Sequence, residues 1–256
     1  KSNPLVELPD DLSSIPDSLF MPLMTALGSA QIIGITEGTH GMNEPLDFRN
    51  SLIKYLVRND NIGAIALESG LIESRMVNDF ILGKSLSLDS VLNFGISYTF
   101  GNFDQNRSLL VWLKEFNTSQ TDENKIKFYG FDVSGNAPNP VLENNGFALH
   151  QCLDYLKTID PESFKEANEK WKPYIDFLRI KDSPEDTTNA YSDLSTADQK
   201  KINTLIDELI VHFQNKQNTY SLISGESNYT WALRSAVSAK QNIDLLAQIS
   251  GTPFPY

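Results

Sequence analysis

Ile62-Gly63-Ala64-Ile65-Ala66-Leu67-Glu68 is a short apolar run that ends on a carboxylate. With no polar residue alternating through it, the run has the pattern of a strand buried on both faces of a parallel sheet. Two runs of the same kind flank it, Gln31-Ile32-Ile33-Gly34-Ile35 upstream and Ile126-Lys127-Phe128-Tyr129-Gly130-Phe131 downstream. The segments between them carry helical spacing. In Glu44–Val57 the residues Phe48, Leu52, Ile53 and Leu56 share a face, and 72–82 and 107–116 read likewise. A further helix is expected over Ile15–Leu27. Strands alternating with helices imply βαβ crossovers and a sheet covered on both sides. The expected class is therefore α/β, a three-layer α/β/α arrangement with a mainly parallel sheet and a helical insertion or subdomain.

The pattern changes after about Pro140. Helical stretches are expected near Asn145–Thr158, Pro161–Leu178, Thr196–Asn215 and Tyr229–Ile249, with no strand between them, and Ser195 is placed to cap the third. Residues 1–140 are thus read as the N-terminal part of an α/β catalytic core and 141–256 as a helical subdomain. Three strands make a small sheet for 256 residues, and Gly251-Thr252-Pro253-Phe254-Pro255-Tyr256 reads as a connection. The remainder of the core is expected beyond Tyr256.

Acidic residues outnumber basic ones 33 to 21, giving a formal net charge of −12. Such a surface repels phosphate backbones and anionic lipid, so neither nucleic acid nor membrane insertion is expected. No apolar run approaches the roughly 20 residues of a membrane span. The start Lys1-Ser2-Asn3-Pro4 lacks a methionine, which suggests a trimmed chain. A soluble protein is expected, cytoplasmic or exported after removal of an N-terminal segment. The one cysteine, Cys152, excludes an internal disulfide and reads as a small core residue.

Each apolar run closes on an acid: Glu37 one residue past the first, Glu68 after the second, Asp132 after the third. Parallel strands share a direction, so the three acids are expected at one carboxyl edge, where open α/β sheets bind ligands. Acids at strand ends also cap following helices, the plainer alternative. His40 lies three residues after Glu37 in a glycine-flanked loop, where an imidazole can act as a general base; a surface histidine in a tight turn fits as well. Arg49 falls on the apolar side of its helix and needs a partner there, Glu37 or Glu68, unless it snorkels to solvent. Trp171, Tyr174 and Phe177 read as core, and His150 and His212 as structural or solvated. Nucleophile-elbow serine, Walker and His-Glu-x-x-His motifs are absent.

Five blocks in order resemble the erythromycin esterase family, also described as succinoglycan-biosynthesis-like. They are Ile33-Gly34-Ile35-Thr36-Glu37-Gly38-Thr39-His40-Gly41, Arg49 nine residues beyond His40, Ala64-Ile65-Ala66-Leu67-Glu68, Leu110–Asn117, and Phe128-Tyr129-Gly130-Phe131-Asp132. The resemblance implies hydrolysis of an ester, in the best-known members a macrolide lactone. It implies His40 as the base that activates water without a covalent intermediate. Glu37, Arg49 and Glu68 would be its active-site partners, and Asp132 is expected to contact substrate. The family's late Ala-His-Asn-x-x-His block has no counterpart among these residues, so it lies beyond Tyr256 or is absent.

The expected activity is therefore metal-independent hydrolysis of a small-molecule ester or lactone with no cofactor, the substrate and oligomeric state being open. Two alternatives stand beside it. One is a small-molecule or glycan binding protein that keeps the fold without turnover. The other is a metallohydrolase using His40 with Glu37, Glu68 or Asp132, a donor set suited to manganese or magnesium.

Overall fold

A computed structural model of the protein describes residues 7–36, 38–60, 62–135, 146–181 and 185–249. The sheet among these residues consists of β1 (Ala64–Gly70) and β2 (Lys127–Asp132), paired parallel. Ala64 stands opposite Lys127 and Leu67 opposite Gly130, with a bulge between Leu67 and Gly70 before Gly70 meets Asp132. The bulge falls at Glu68, which lies inside the strand rather than just after it. The connection between the strands carries α3 (Ser74–Ile81), α4 (Leu88–Gly95) and α5 (Asp104–Thr118), with α2 (Asn43–Asn59) preceding β1 and α1 (Met21–Leu27) near the start.

Alternation sets the layers. Ile65 and Phe128 point into a core with Ile53 and Val57 of α2, Val77 and Phe80 of α3, and Leu110 and Leu113 of α5. Burying each such side chain contributes about 1.5–3 kcal/mol. Tyr129, on the opposite face, stacks on Trp231 with ring centroids 6.5 Å apart. Trp231 belongs to α10 (Glu226–Ile249), which packs with α6 (Phe147–Ile159), α7 (Pro161–Trp171), α8 (Thr196–Asn215) and α9 (Gln217–Ser224) around a second core. That core takes in Ile72 from the loop after β1, so the helical half grips the sheet directly. The class is α/β, as expected. The boundary expected near Pro140 lies outside the described residues.

Helix α8 matches the sequence pattern residue for residue, its Ser195 accepting from the Asp198 amide at 3.1 Å, whereas α1 begins only at Met21 and α7 ends at Trp171, inside the expected Ile15–Leu27 and Pro161–Leu178. The short helices α4 and α9 were not expected. The first apolar run corrects the reading: Gln31–Ile35 forms no strand among the described residues. Ile32 is 91% exposed, while Ile33 packs against the cluster around Phe20, Leu52 and Tyr55. An apolar run records a tendency to be buried, whereas a strand also needs a neighbour at ladder distance.

The helical half contains a polar relay in an otherwise apolar setting. Tyr220 donates to Asp160 Oδ2 at 2.7 Å and lies 2.7 Å from His212 Nε2. Asp160 also caps α7 through the Ser163 amide. With the phenol proton committed to Asp160, His212 is the donor to Tyr220, which fixes its tautomer. Burial holds His212 below its ordinary titration range, more strongly than Asp160 and Glu166 raise it, and Lys216 adds to the lowering. Asp160 is held below the usual carboxylate range chiefly by the Tyr220 hydroxyl.

Two measurements check this account. Gly130 lies so close to β1 that a Cβ would clash with the backbone carbonyl oxygens of Ser69 and Gly70. Gly130→Ala should therefore cost about 3 kcal/mol or more in urea denaturation, and a midpoint like wild type would contradict the close approach. The fold prefers neutral His212, so stability is complete above its ordinary value of 6.5 and falls as pH drops below it. His212→Gln keeps a donor to Tyr220 and should flatten that decline in unfolding curves recorded across the range; an unchanged pH dependence would clear His212 of any role in it.

Candidate active site

A cavity of about 1020 Å³ opens along β1, between that strand and the 31–36 segment. Its apolar walls come from Ile33, Ile53, Ile65, Phe100 and Phe103. Three of the expected site residues line it together: His40 from the loop before α2, Arg49 from α2 and Glu68 from β1. A volume of this order accepts a drug-sized molecule. Glu37 lies outside the described residues.

His40 is exposed, and its ring rests against Phe100 at 5.2 Å between centroids. Phe100 stacks in turn on Phe103 at 5.7 Å. Gly41 approaches this wall with φ +81°, where an added Cβ would stand 3.4 Å from the Phe103 ring. A side chain there would be strained in a conformation that glycine adopts freely. The glycine after His40 thus lets the loop turn against the aromatic wall.

Arg49 is half-buried, and two of its partners are amide oxygens. Nη2 donates to Asn50 Oδ1 at 3.0 Å and to Asn106 Oδ1 at 2.6 Å. Asn106, at the start of α5 and 3% exposed, donates from Nδ2 to the Phe100 carbonyl at 2.8 Å. Asn50 donates to the Gln105 carbonyl at 2.7 Å. A continuous polar chain therefore runs from the guanidinium through Asn106 to the residue that supports His40. Both acceptors belong to buried amides, which fix the guanidinium at the cavity wall.

Glu68 and Asp132 occupy the same carboxyl edge of the sheet, but only Glu68 lines the cavity. Asp132 accepts from the Tyr98 hydroxyl at 2.7 Å and from the Val133 amide at 2.7 Å, and its neighbour Phe131 lines the cavity while 68% exposed. Behind this edge lies Glu73, only 2% exposed, accepting from the Gly135 amide. Sequence reasoning passed over Asn50, Tyr98, Asn106 and Glu73. Uncharged amides and a lone tyrosine leave no periodic signal, and the one available hint for Glu73 was an acid directly before Ser74 at a helix start. Among the described residues no group of three or more His, Cys, Asp or Glu could hold a metal ion, and no helix is long and apolar enough to cross a membrane.

The family model for erythromycin esterase matches residues 57–253, which takes in Glu68 and Asp132 and begins after Glu37, His40 and Arg49. The chain is similar to the Escherichia coli erythromycin esterase type I, with 28% identity over 62% of this chain and 34% of that protein. It is similar to type II from the same organism at 24% identity over 56% and 32%. The chain thus spans about a third of the curated relatives it matches. Among solved structures, a Bacillus cereus protein superposes with TM-score 0.71 at 18% identity, over 96% of this chain and 54% of that one. A succinoglycan biosynthesis protein gives 0.70 at 20% identity, over 97% and 55%. An erythromycin esterase mutant in its open conformation gives 0.65 at 21% identity, over 94% and 56%. These likenesses carry the fold.

The Asn106 bridge has a direct test. Asn106→Ala deprives the Arg49 guanidinium and the Phe100 carbonyl of a partner at once and should cost about 2–3 kcal/mol in chemical denaturation. A loss under about 0.5 kcal/mol, the scale of ordinary surface changes, would mean the bridge is not formed in solution.

Proposed function

The chain belongs to the erythromycin esterase family, and from that premise we propose that it hydrolyses a small-molecule ester or lactone in the cavity along β1, with His40 as the base. The observation that carries this reading is the convergence of His40, Arg49 and Glu68 on one cavity with apolar walls. An imidazole titrates near neutrality and can take a proton from water, whereas an ionised carboxylate is a weak base at that pH. The hydroxide so formed attacks the carbonyl carbon, and the carbonyl π electrons move onto oxygen. The Arg49 guanidinium, held on Asn50 and Asn106, stabilises that oxyanion. Collapse expels the alkoxide, which recovers the proton from His40. Glu68 orients the water or the imidazole from the strand side. Glu37, three positions before His40 in the chain, is assigned the second orienting role, and Asp132 the contact to substrate at the rim.

A second reading keeps the cavity and drops the turnover, making the chain a small-molecule or glycan binder. It needs only the apolar-walled cavity, which can hold a ligand without chemistry.

Turnover separates these readings. Hydrolysis of an aryl ester or a lactone should fall by about 10²–10⁴-fold in His40→Ala, with the circular dichroism spectrum unchanged. The wild-type rate should rise with pH through a titration that vanishes in the variant. Activity abolished by a chelator and restored by manganese or magnesium would replace the base mechanism with the metal one. Binding of the same compounds without turnover would support the second reading, and a His40→Ala rate within a few-fold of wild type would remove His40 from the mechanism.

A further inference from the structure

The turn after α4 adopts a conformation that its residues do not favour. Tyr98 and Thr99 follow one another at φ +58° and +62°, in the left-handed region. Neither is a glycine or asparagine, and Thr99 is β-branched, for which a positive φ is a marked outlier. Such a pair persists only when the surroundings over-determine it.

Both ends of the turn supply that determination. Ser97, fully buried, donates its amide to Ser69 Oγ at 3.0 Å and accepts from the Gly70 amide at 2.9 Å, which ties the turn to the end of β1. Tyr98 then crosses to the end of β2 and donates to Asp132 Oδ2 at 2.7 Å. Its ring lies 5.7 Å from Phe100, which also faces His40 at 5.2 Å. Phe100 is fixed from below by its amide on the Ser97 carbonyl and by Asn106 on its own carbonyl. One strained turn therefore touches both strand ends and the platform under the imidazole.

We propose that Tyr98 is a positioning residue of this site: its hydroxyl sets Asp132, and its ring, through Phe100, sets the imidazole of His40. The inference rests on the hydrolase reading above. Left-handed backbone at Tyr98 is what aims a side chain from the β1 edge across to β2, and an unstrained turn would send it elsewhere. The strain is maintained for placement rather than for stability, the usual relation where outliers cluster at functional sites.

The test uses the whole chain with Tyr98→Phe and Thr99→Gly, beside wild type and His40→Ala. Tyr98→Phe keeps the ring and loses the bond to Asp132; it should lower kcat by about ten- to a hundred-fold, more than it changes KM. In an Asp132→Ala background it should add no further loss, because its partner is already gone. Thr99→Gly relieves the backbone and should raise Tm by about 2–4 °C while lowering kcat, a pairing that a merely structural turn would not produce. Ring resonances of the histidines, with those of His40 identified by their loss in His40→Ala, should shift or broaden in both variants. Wild-type kcat in both variants, with unmoved His40 resonances, overturns the proposal and leaves the hydrolase reading standing. If wild type and His40→Ala are equally inactive, the hydrolase reading fails. The resonances then decide alone: displaced His40 signals support the positioning role, and unmoved ones overturn it.

Discussion

The close approach of β2 to β1 at Gly130 is the constraint from which the site follows. A side chain there would meet the backbone of Ser69 and Gly70, so glycine is what allows two parallel strands to converge at their carboxyl ends. Convergence leaves backbone groups that the bulged ladder does not pair, and buried hydroxyls take them up. Gly130 donates to Ser74 Oγ at 2.6 Å, Ile72 to Ser134 Oγ at 2.9 Å and Gly70 to Ser97 Oγ at 2.9 Å. Each unmade bond of this kind would cost a buried donor its desolvation energy. The knot of serines sets the loops after both strands and hence the relative placement of Glu68, Asp132 and the turn that carries Tyr98.

The polar chain through Arg49, Asn106 and Phe100 joins that edge to the first helix of the core. It couples a cation to the aromatic support of a base through one buried amide. Amide acceptors order the guanidinium, which suits a group proposed to meet an oxyanion.

The helical half contributes support from the other side of the sheet. Asn242 of α10 donates to the Ser134 carbonyl at 3.0 Å, within the knot, and Trp231 of the same helix stacks on Tyr129. Its own relay of Asp160, Tyr220 and His212 joins α7, α8 and α9 away from the cavity. The fold thus places His40 in the open cavity and His212 in the packed helices.

Sequence alone determined the α/β class, several of the helix bounds, the parallel direction of the two strands and the candidates His40, Arg49 and Glu68, which line one cavity. These are properties of local pattern: periodicity reports which face is buried, and an acid closing an apolar run reports a strand end. Tertiary structure decided whether Gln31–Ile35 pairs, because an apolar run does not specify a neighbour, and Ile32 ends up exposed where a ladder was expected. It also decided the anchors of Arg49, since Asn106 lies 57 positions away and an amide has no charge to advertise the contact. The left-handed turn at Tyr98 was beyond sequence reasoning for the opposite reason. Local preference argues against a tyrosine and a threonine there, and only bonds to two strand ends, distant in the chain, hold them in place.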